Sequence, residues 1–428
     1  MAAAVVATAA AVAAAGADLI SKSVLPSGLR VLTERMPGAQ SAAIGVYVGV
    51  GGRDEPDELA GASHFLEHLL FKGTESRSAR AIAEDIDATG GEMNAYTSRE
   101  HTAFYTRVPV RDGAMALQLL LDVLAEPALR GDEVEAERDV ILEELAAAED
   151  SPEDVVHMRL AESLFPSHPL GREVLGTEDS IEAMTRDQIA GFHGRWYRPA
   201  NLVLSAAGAV DHDEICAAVD AFAGAGPGGE APVRARPSVA PVAEVIERHP
   251  VEQAHLALGW LSMAHDDPDR YALAYVNYVF GGGTASRLFQ EVREERGLAY
   301  TVFSSLSYNA DCGSMSVYAA TSPSKLAEVL AITDDIVASL VADGITDSEH
   351  ALALGFLEGS TLLSLEDAGS RMGRLGRSEL ARGEVPPVEE HLVKLRAVTK
   401  DDVDRVLRRV LGGPRALSAV GPFDELPS

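Results

Sequence analysis

The chain has very little cysteine. Only Cys216 and Cys312 occur among its 428 residues, and they lie far apart in the sequence. Two isolated cysteines exclude a disulfide framework and a cysteine-rich metal site, so we expect two buried thiols that act as small apolar residues. The length excludes a small cross-linked scaffold and predicts two or three domains, each able to bury its own core.

Positive charge is also scarce. The 36 Lys and Arg residues face 66 Asp and Glu residues, which gives a formal net charge of −30. The acidic residues are spread over many segments and repel nucleic acid, so we expect no nucleic-acid partner. The same field favours cationic partners such as basic peptides, although we expect most of these charges to form a solvated surface.

A long apolar run occurs only at the start, in residues 1–17, which read MAAAVVATAAAVAAAGA. The run lacks the basic region of an export signal, because no Lys or Arg precedes Lys22, and it is short for a membrane-spanning helix. We therefore expect residues 1–22 to be a flexible leader on a cytoplasmic protein, with secretion as the alternative. No membrane partner is expected.

The rest of the chain shows a mixed pattern of strands and helices. From Leu29 onward, strand-like segments alternate with amphipathic helical ones such as GAMALQLLLDVLAE, which predicts an α/β (α+β) architecture. Residues 221–245 are rich in Gly, Pro and Ala and have no apolar periodicity, so they are predicted to be a linker. The predicted domains are residues 23–220 and residues 246–428.

The second half repeats part of the first. When Thr74 and Thr284 are aligned, HFLEHLLFKGT lies over AYVNYVFGGGT, and the apolar positions are broadly kept. This predicts a duplicated domain whose second copy keeps the fold and lacks the polar residues of the first copy. Three polar positions are replaced: His64 faces Ala274, Glu67 faces Asn277 and His68 faces Tyr278.

These polar residues form a candidate metal motif, HxxEH. In a helix, spacings of three and four residues place His64, Glu67 and His68 on one face. Two imidazoles can share a zinc ion, a catalytic site takes a third protein ligand, and the adjacent carboxylate can accept a proton from the bound water. Because the motif is short, a surface pair of histidines with a glutamate is the alternative.

Longer segments resemble a known family. In order, GASHFLEHLLFKGT, GGEMNAYTSREHTAFYT and ERDVILEEL resemble the inverted zincin metallopeptidases of the pitrilysin and insulinase clan. They are most similar to the branch that contains the mitochondrial processing peptidase β subunit and its bacterial homologues. The resemblance implies two homologous domains, each a mainly antiparallel sheet packed with helices. It also implies a zinc endopeptidase, with one zinc per chain, that hydrolyses peptides or unfolded, presequence-like polypeptides.

The resemblance also implies the remaining metal-site residues. Glu144, at the end of ERDVILEE, matches the third zinc ligand of the family, and Glu137 matches the carboxylate that supports the site. Glu143 is the nearest alternative to Glu144. It points about a hundred degrees away around the helix, so both cannot be ligands.

On the substrate side, the resemblance implies that GEMNAYTS is an edge strand to which a peptide adds, with Asn94 and Ala95 as contacts. Phe71 matches a residue that shapes the pocket, and a core position is its alternative. Asp154 matches one of the acidic residues that read arginine in the processing peptidase, but Met158 stands at a second such position. We expect broader cleavage, with basic residues tolerated or mildly preferred.

In the second half, FQEVREERGLAY resembles the Arg/Tyr signature of the clan. The resemblance implies that Arg293 and Tyr300 hold the substrate carbonyl and stabilise the oxyanion, with Arg296 as the alternative arginine. It further implies a homodimer, in which the partner completes each zinc site. Two other functions stay open: a catalytically silent scaffold of the same family, and a metal-dependent lyase that shares HxxEH.

Overall fold

The structure is a computed structural model and describes residues 19–222, 228–237 and 244–426. Most of the predicted leader and parts of the predicted linker lie outside these residues. The chain divides into two compact units. Unit 1 takes the chain up to Leu145, then Glu173–Arg234 and Leu362–Glu390; unit 2 takes Ala146–Arg172, Ala235–Thr361 and the chain from His391 onward.

Unit 1 contains a six-stranded sheet with the order β1-β2-β6-β3-β5-β4. Its strands are β1 (Ile20–Val24), β2 (Arg30–Arg35), β3 (Ser41–Val48), β4 (Glu92–Thr97), β5 (Thr102–Pro109) and β6 (Leu202–Gly208). Only β2 and β6 pair in parallel; the other neighbours are antiparallel. Every residue of the central strand β6 is buried, as expected for a strand covered on both faces, whereas β4 forms an edge.

Unit 2 contains a five-stranded sheet with the order β7-β11-β8-β10-β9. Its strands are β7 (Glu244–Arg248), β8 (Ala254–Ser262), β9 (Ala299–Tyr308), β10 (Gly313–Thr321) and β11 (Arg415–Gly421). Here β7 and β11 are the parallel pair, and the other neighbours are antiparallel. The predicted fold class is therefore confirmed, with helices packed on two mainly antiparallel sheets.

Helices connect the strands in both units. In chain order the α-helices of the described residues are α1 (Ala62–Leu70), α2 (Ala79–Asp87), α3 (Gly113–Ala125), α4 (Gly131–Asp150), α5 (Pro152–Leu164), α6 (Glu178–Ala183), α7 (Arg186–Trp196), α8 (His212–Phe222), α9 (Arg270–Asn277), α10 (Leu326–Asp343), α11 (Asp347–Ser364), α12 (Ala368–Arg382), α13 (Val388–Ala397) and α14 (Lys400–Val410). Two π-helical segments, Tyr278–Gly282 and Phe289–Glu295, occur in unit 2. None of the helices among the described residues is both long enough and apolar enough to span a bilayer.

The two sheets share one topology. If β2 to β6 are matched with β7 to β11 in chain order, the strand order and every pairing direction agree. One side-chain contact is also repeated: the Thr97 hydroxyl donates to Glu67 over 2.6 Å, and the Ser304 hydroxyl donates to Asn277 over 2.8 Å. Both observations are what a duplicated domain predicts.

Each unit takes one helix from the other half of the sequence. Helix α5 packs on β8 and β11 in unit 2, and α12 packs on β2, β3 and β6 in unit 1. The predicted domains, 23–220 and 246–428, are continuous, so they miss this exchange. The physical reason is that the linker composition marks a break in the chain, whereas the position of each helix is decided by the sheet that buries its apolar face.

Candidate metal site

Helix α1 carries the HxxEH motif and is fixed at its first turn. The carboxylate of buried Glu55 accepts hydrogen bonds from the backbone N–H groups of Gly61 and Ser63, both at 2.7 Å. A negative charge at a helix N-terminus is favourable because it faces unpaired N–H donors. Gly61 has a φ of +91°, and a Cβ there would lie 2.6 Å from the carbonyl oxygen of Leu175. Neither Glu55 nor Gly61 was predicted from the sequence.

The apolar side of α1 fixes the direction of its polar side. Phe65, Leu66, Leu69 and Leu70 are each at most 1% exposed and belong to the core beneath the sheet. Because these residues recur at helical spacing, the remaining face of the helix presents the motif residues together.

Three side chains converge at this face. The Nε2 atoms of His64 and His68 lie 3.6 Å and 3.5 Å from Glu144 Oε2, which α4 supplies. Tetrahedral zinc with ligands at roughly 2.0–2.2 Å requires neighbouring donor atoms about 3.3–3.6 Å apart. The donor set therefore fits zinc, and so do these two distances. In the described part of the chain, this is the only group of three or more such side chains close enough to hold a metal ion.

Burial keeps the first histidine neutral. The side chains of His64 and His68 are 12% and 18% exposed, and that of Glu144 is 42% exposed. Burial, together with the neighbouring His68, lowers the pKa of His64 to about 4. Neutral imidazole is the form that binds a metal, so His64 is in the binding form at neutral pH. The more exposed Glu144 marks the open side of the site.

Glu137 and Lys72 support the second histidine. Buried Glu137 has Oε2 3.1 Å from His68 Nδ1 and Oε1 2.5 Å from Lys72 Nζ. If Nδ1–H donates to Glu137, the lone pair of Nε2 faces Glu144. The structure thus brings the predicted supporting residue to the site. Lys72 was not identified from the sequence, although it follows His68 by four residues and so lies about one turn further along.

Glu67 lies beside the three donors and has one oxygen fixed. The Thr97 hydroxyl on β4 donates to Glu67 Oε2 over 2.6 Å. Burial raises the pKa of Glu67, and the hydrogen bond from Thr97 opposes this rise. Glu143 is exposed and lies outside the three-residue group. Of the two adjacent glutamates, it is therefore Glu144 that the fold places near the histidines.

Comparison with known protein families agrees with this geometry. The model described as Insulinase (Peptidase family M16) matches residues 30–178, and that of the Peptidase M16 inactive domain matches residues 183–355. This chain belongs to peptidase family M16. It is therefore a metalloprotease, a hydrolase, and the predicted family and enzyme class are confirmed. Because the matches cover both halves, the lyase alternative is not favoured.

Relatives of this M16 peptidase match over nearly their whole length. An uncharacterized zinc protease of Mycobacterium tuberculosis is 45% identical over 94% of this chain and 93% of its own. A second, of Bacillus subtilis, is 35% identical over 96% of this chain and 100% of its own. Among solved structures, a protease from Helicobacter pylori has a TM-score of 0.88 at 22% identity, over 94% of this chain and 99% of its own. At that identity the similarity demonstrates the fold alone.

The predicted substrate residues of unit 1 lie around β4. Asn94 and Ala95 are part of this edge strand, and Asn94 Oδ1 accepts a hydrogen bond from the Ala95 backbone N–H over 2.8 Å. Phe71 follows directly after α1, and its ring lies 6.2 Å from that of Phe104. Phe71 is partly buried against the core, which agrees with the core alternative, and its pocket role stays a prediction.

The remaining predicted residues of the M16 peptidase belong to unit 2. Arg293 lies over the Tyr300 ring, with its guanidinium carbon 4.7 Å from the ring centroid, so the fold brings this predicted pair together. Tyr300 is 80% exposed. Arg296, the alternative, is paired with Glu291 at 3.3 Å. Asp154 is exposed in the first turn of α5.

Proposed function

We propose that this M16 peptidase is a zinc endopeptidase that cleaves peptides or unfolded polypeptides. The observation that carries the proposal is the convergence of three metal-binding side chains, His64, His68 and Glu144, beside the carboxylate of Glu67. These three residues would hold one zinc per chain. The zinc protease names of the relatives support the choice of metal.

The chemistry is hydrolysis of a peptide bond. When bound, zinc would polarise the scissile carbonyl group and increase the acidity of a water molecule. Glu67 accepts the proton of the attacking water at its carboxylate while Thr97 holds the other oxygen. It then donates this proton to the leaving amine, which completes the proton balance.

Substrate binding is assigned to the edge strand. Because β4 has a strand on one side only, an extended peptide can pair with its outer backbone groups, and Asn94 and Ala95 would be contacts. Phe71 would line a pocket on the metal side. This binding mode depends on hydrogen bonds to the backbone of an extended peptide. It therefore suits unfolded chains and short peptides more than folded proteins.

The second unit supplies the oxyanion donors in this proposal. Arg293 and Tyr300 are already in contact, and the exposed hydroxyl of Tyr300 is available to a substrate carbonyl. A homodimer would let the pair of one protomer complete the zinc site of its partner.

Asp154 would attract basic side chains, in keeping with the net charge of −30. We further propose a cytoplasmic location.

The test compares the wild type with Glu67→Gln on a library of quenched-fluorescence peptides, with metal analysis of both proteins. We expect both to retain zinc and only the wild type to cleave. A wild type that binds zinc and cleaves no peptide would favour the silent scaffold. Undiminished cleavage by Glu67→Gln would contradict the role of Glu67 as the base.

A further inference from the structure

The edge strand β4 has two faces, and only one of them points to the metal site. On that face Thr97 contacts Glu67, and Ala95 packs in the core beneath α1. Side chains alternate along a strand, so Asn94 and Tyr96 lie on the opposite face. A peptide paired with this edge would alternate in the same way, and every second side chain would lie on the face away from the metal.

A cleft of about 200 Å³ opens on this opposite face, between the sheet and α12. Three tyrosines, Tyr47, Tyr96 and Tyr105, line it. The rings of Tyr96 and Tyr105 lie 6.4 Å apart at 57°. A hydrogen bond also holds Tyr96 in place, because its hydroxyl lies 3.2 Å from His101 Nε2. The cleft therefore has a preformed aromatic wall next to the edge strand.

The size of the cleft restricts its occupant. Small-molecule sites commonly measure about 300–1,000 Å³, and this cleft is smaller. It opens beside a strand edge, where a paired peptide would present side chains one at a time. A single side chain is the occupant that matches both the volume and the position.

Charge does not select that side chain. Four charged residues line the cleft, Glu92 and Asp367 of one sign, Arg107 and Arg377 of the other, so the formal charges cancel. Two of them already form an ion pair, since Arg107 Nη1 lies 3.2 Å from Asp367 Oδ1. The tyrosine rings are left as the selective feature, and rings prefer offset or edge-to-face packing against another ring.

We propose that this cleft is a specificity subsite that takes an aromatic side chain of the substrate. The proposal rests on the proposed function, in which a peptide pairs with β4. The ring of the substrate residue packs against Tyr96 and Tyr105, while its two neighbours in the peptide point to the metal side. The cleft therefore selects for an aromatic side chain at one substrate position and does not affect the two adjacent positions.

The experiment uses a peptide series with one cleavage site in which Phe or Ala is placed at each successive position. For the wild type we expect Phe to raise kcat/KM about three- to ten-fold over Ala at one position governed by the cleft. Tyr105→Ala removes this preference, and Tyr105→Phe, which keeps the ring, retains it. Zinc content and thermal unfolding of each variant show that the fold and metal site are intact.

Two results would overturn the subsite. One is a positional profile of Tyr105→Ala equal to that of the wild type, and the other is an equal loss at all positions. Either result leaves the proposed function standing if the wild type cleaves and Glu67→Gln does not. If the wild type cleaves no peptide at all, the proposed function fails and the subsite fails with it.

Discussion

At the scale of single residues, the second histidine stands at the end of a chain of contacts. Lys72 binds one oxygen of Glu137, and the other oxygen of Glu137 faces His68 Nδ1. A carboxylate buried without a partner would be costly, and the lysine compensates its charge. Lys72 therefore holds the orientation of Glu137, and through it the ring of His68.

We predict that Lys72→Met weakens zinc binding about 10- to 100-fold, the range found when a group that orients a metal ligand is lost. Competition with a chelator of known affinity measures the change. Lys72→Arg keeps the positive charge and is expected to stay much closer to the wild type. Equal zinc affinity for Lys72→Met and the wild type would contradict the positioning role.

The hydrogen bond from the Thr97 hydroxyl to Glu67 can be tested with a control from the other unit. Thr97 donates to Glu67 in unit 1, and Ser304 donates to Asn277 at the matching place in unit 2. Each of the two hydrogen bonds links a strand to a helix in its own unit. Only the first also orients a residue of the metal site.

We predict that Thr97→Val lowers kcat about ten-fold, with little change in KM or zinc content, because a hydrogen bond to a charged group is lost. Ser304→Ala removes the matching bond and is expected to leave kcat of the zinc-loaded enzyme unchanged. Steady-state kinetics on one fluorogenic peptide separates the two variants. A similar fall in kcat for both would mean that the bond serves the fold alone.

At the scale of elements, α12 approaches the sheet of unit 1 through glycine. A Cβ on Gly376 would lie 2.2 Å from the buried ring of Tyr47, whereas a Cβ on Gly359 of the exposed helix α11 would meet nothing within 4 Å. The contact between α12 and β3 thus depends on the absence of one side chain. This close packing also sets one wall of the tyrosine cleft.

We predict opposite effects for two Gly→Ala substitutions. Gly376→Ala is expected to destabilise the protein by about 1–3 kcal/mol through overpacking. Gly359→Ala is expected to stabilise it by about 0.5–1 kcal/mol, because alanine is the better helix former. Denaturant unfolding of both variants measures the two signs. Stabilisation by Gly376→Ala would show that the ring of Tyr47 moves aside at little cost.

At the scale of the whole molecule, the two units carry different side chains at the positions that match in the alignment. Unit 1 keeps His64, His68 and Glu144, whereas the aligned positions of unit 2 carry Ala274 and Tyr278 in place of the two histidines. Unit 2 instead carries the Arg293 and Tyr300 pair. In the proposed homodimer, each protomer would contribute both parts, one to its own site and one to that of its partner.

This arrangement predicts complementation between two inactive proteins. Glu67→Gln keeps Arg293, and Arg293→Ala keeps Glu67, so a mixed dimer contains one complete site. After dissociation and random reassociation of equal amounts, about a quarter of the wild-type activity is expected, because half of the dimers are mixed and each has one working site of two. Activity that stays at the level of the separate variants would contradict completion by the partner.

The sequence by itself determined that the three residues of the HxxEH motif share one face of a helix, α1. The spacing of His64, Glu67 and His68 follows from helical periodicity, which depends only on local geometry. It also indicated the duplication, because buried positions must stay apolar in both copies. The choice of Glu144 over Glu143 needed the family resemblance as well, since a helix rich in acidic residues has no local feature that marks a ligand.

Only the tertiary structure decided which distant residues meet. Thr97 contacts Glu67, and Lys72 contacts Glu137, over long separations in the chain, and no periodicity in the sequence marks these two contacts. The exchange of α5 and α12 is of the same kind, because a helix with an apolar face can be buried by any complementary sheet. Local patterns specify elements, whereas packing among elements decides the site and the cleft beside it.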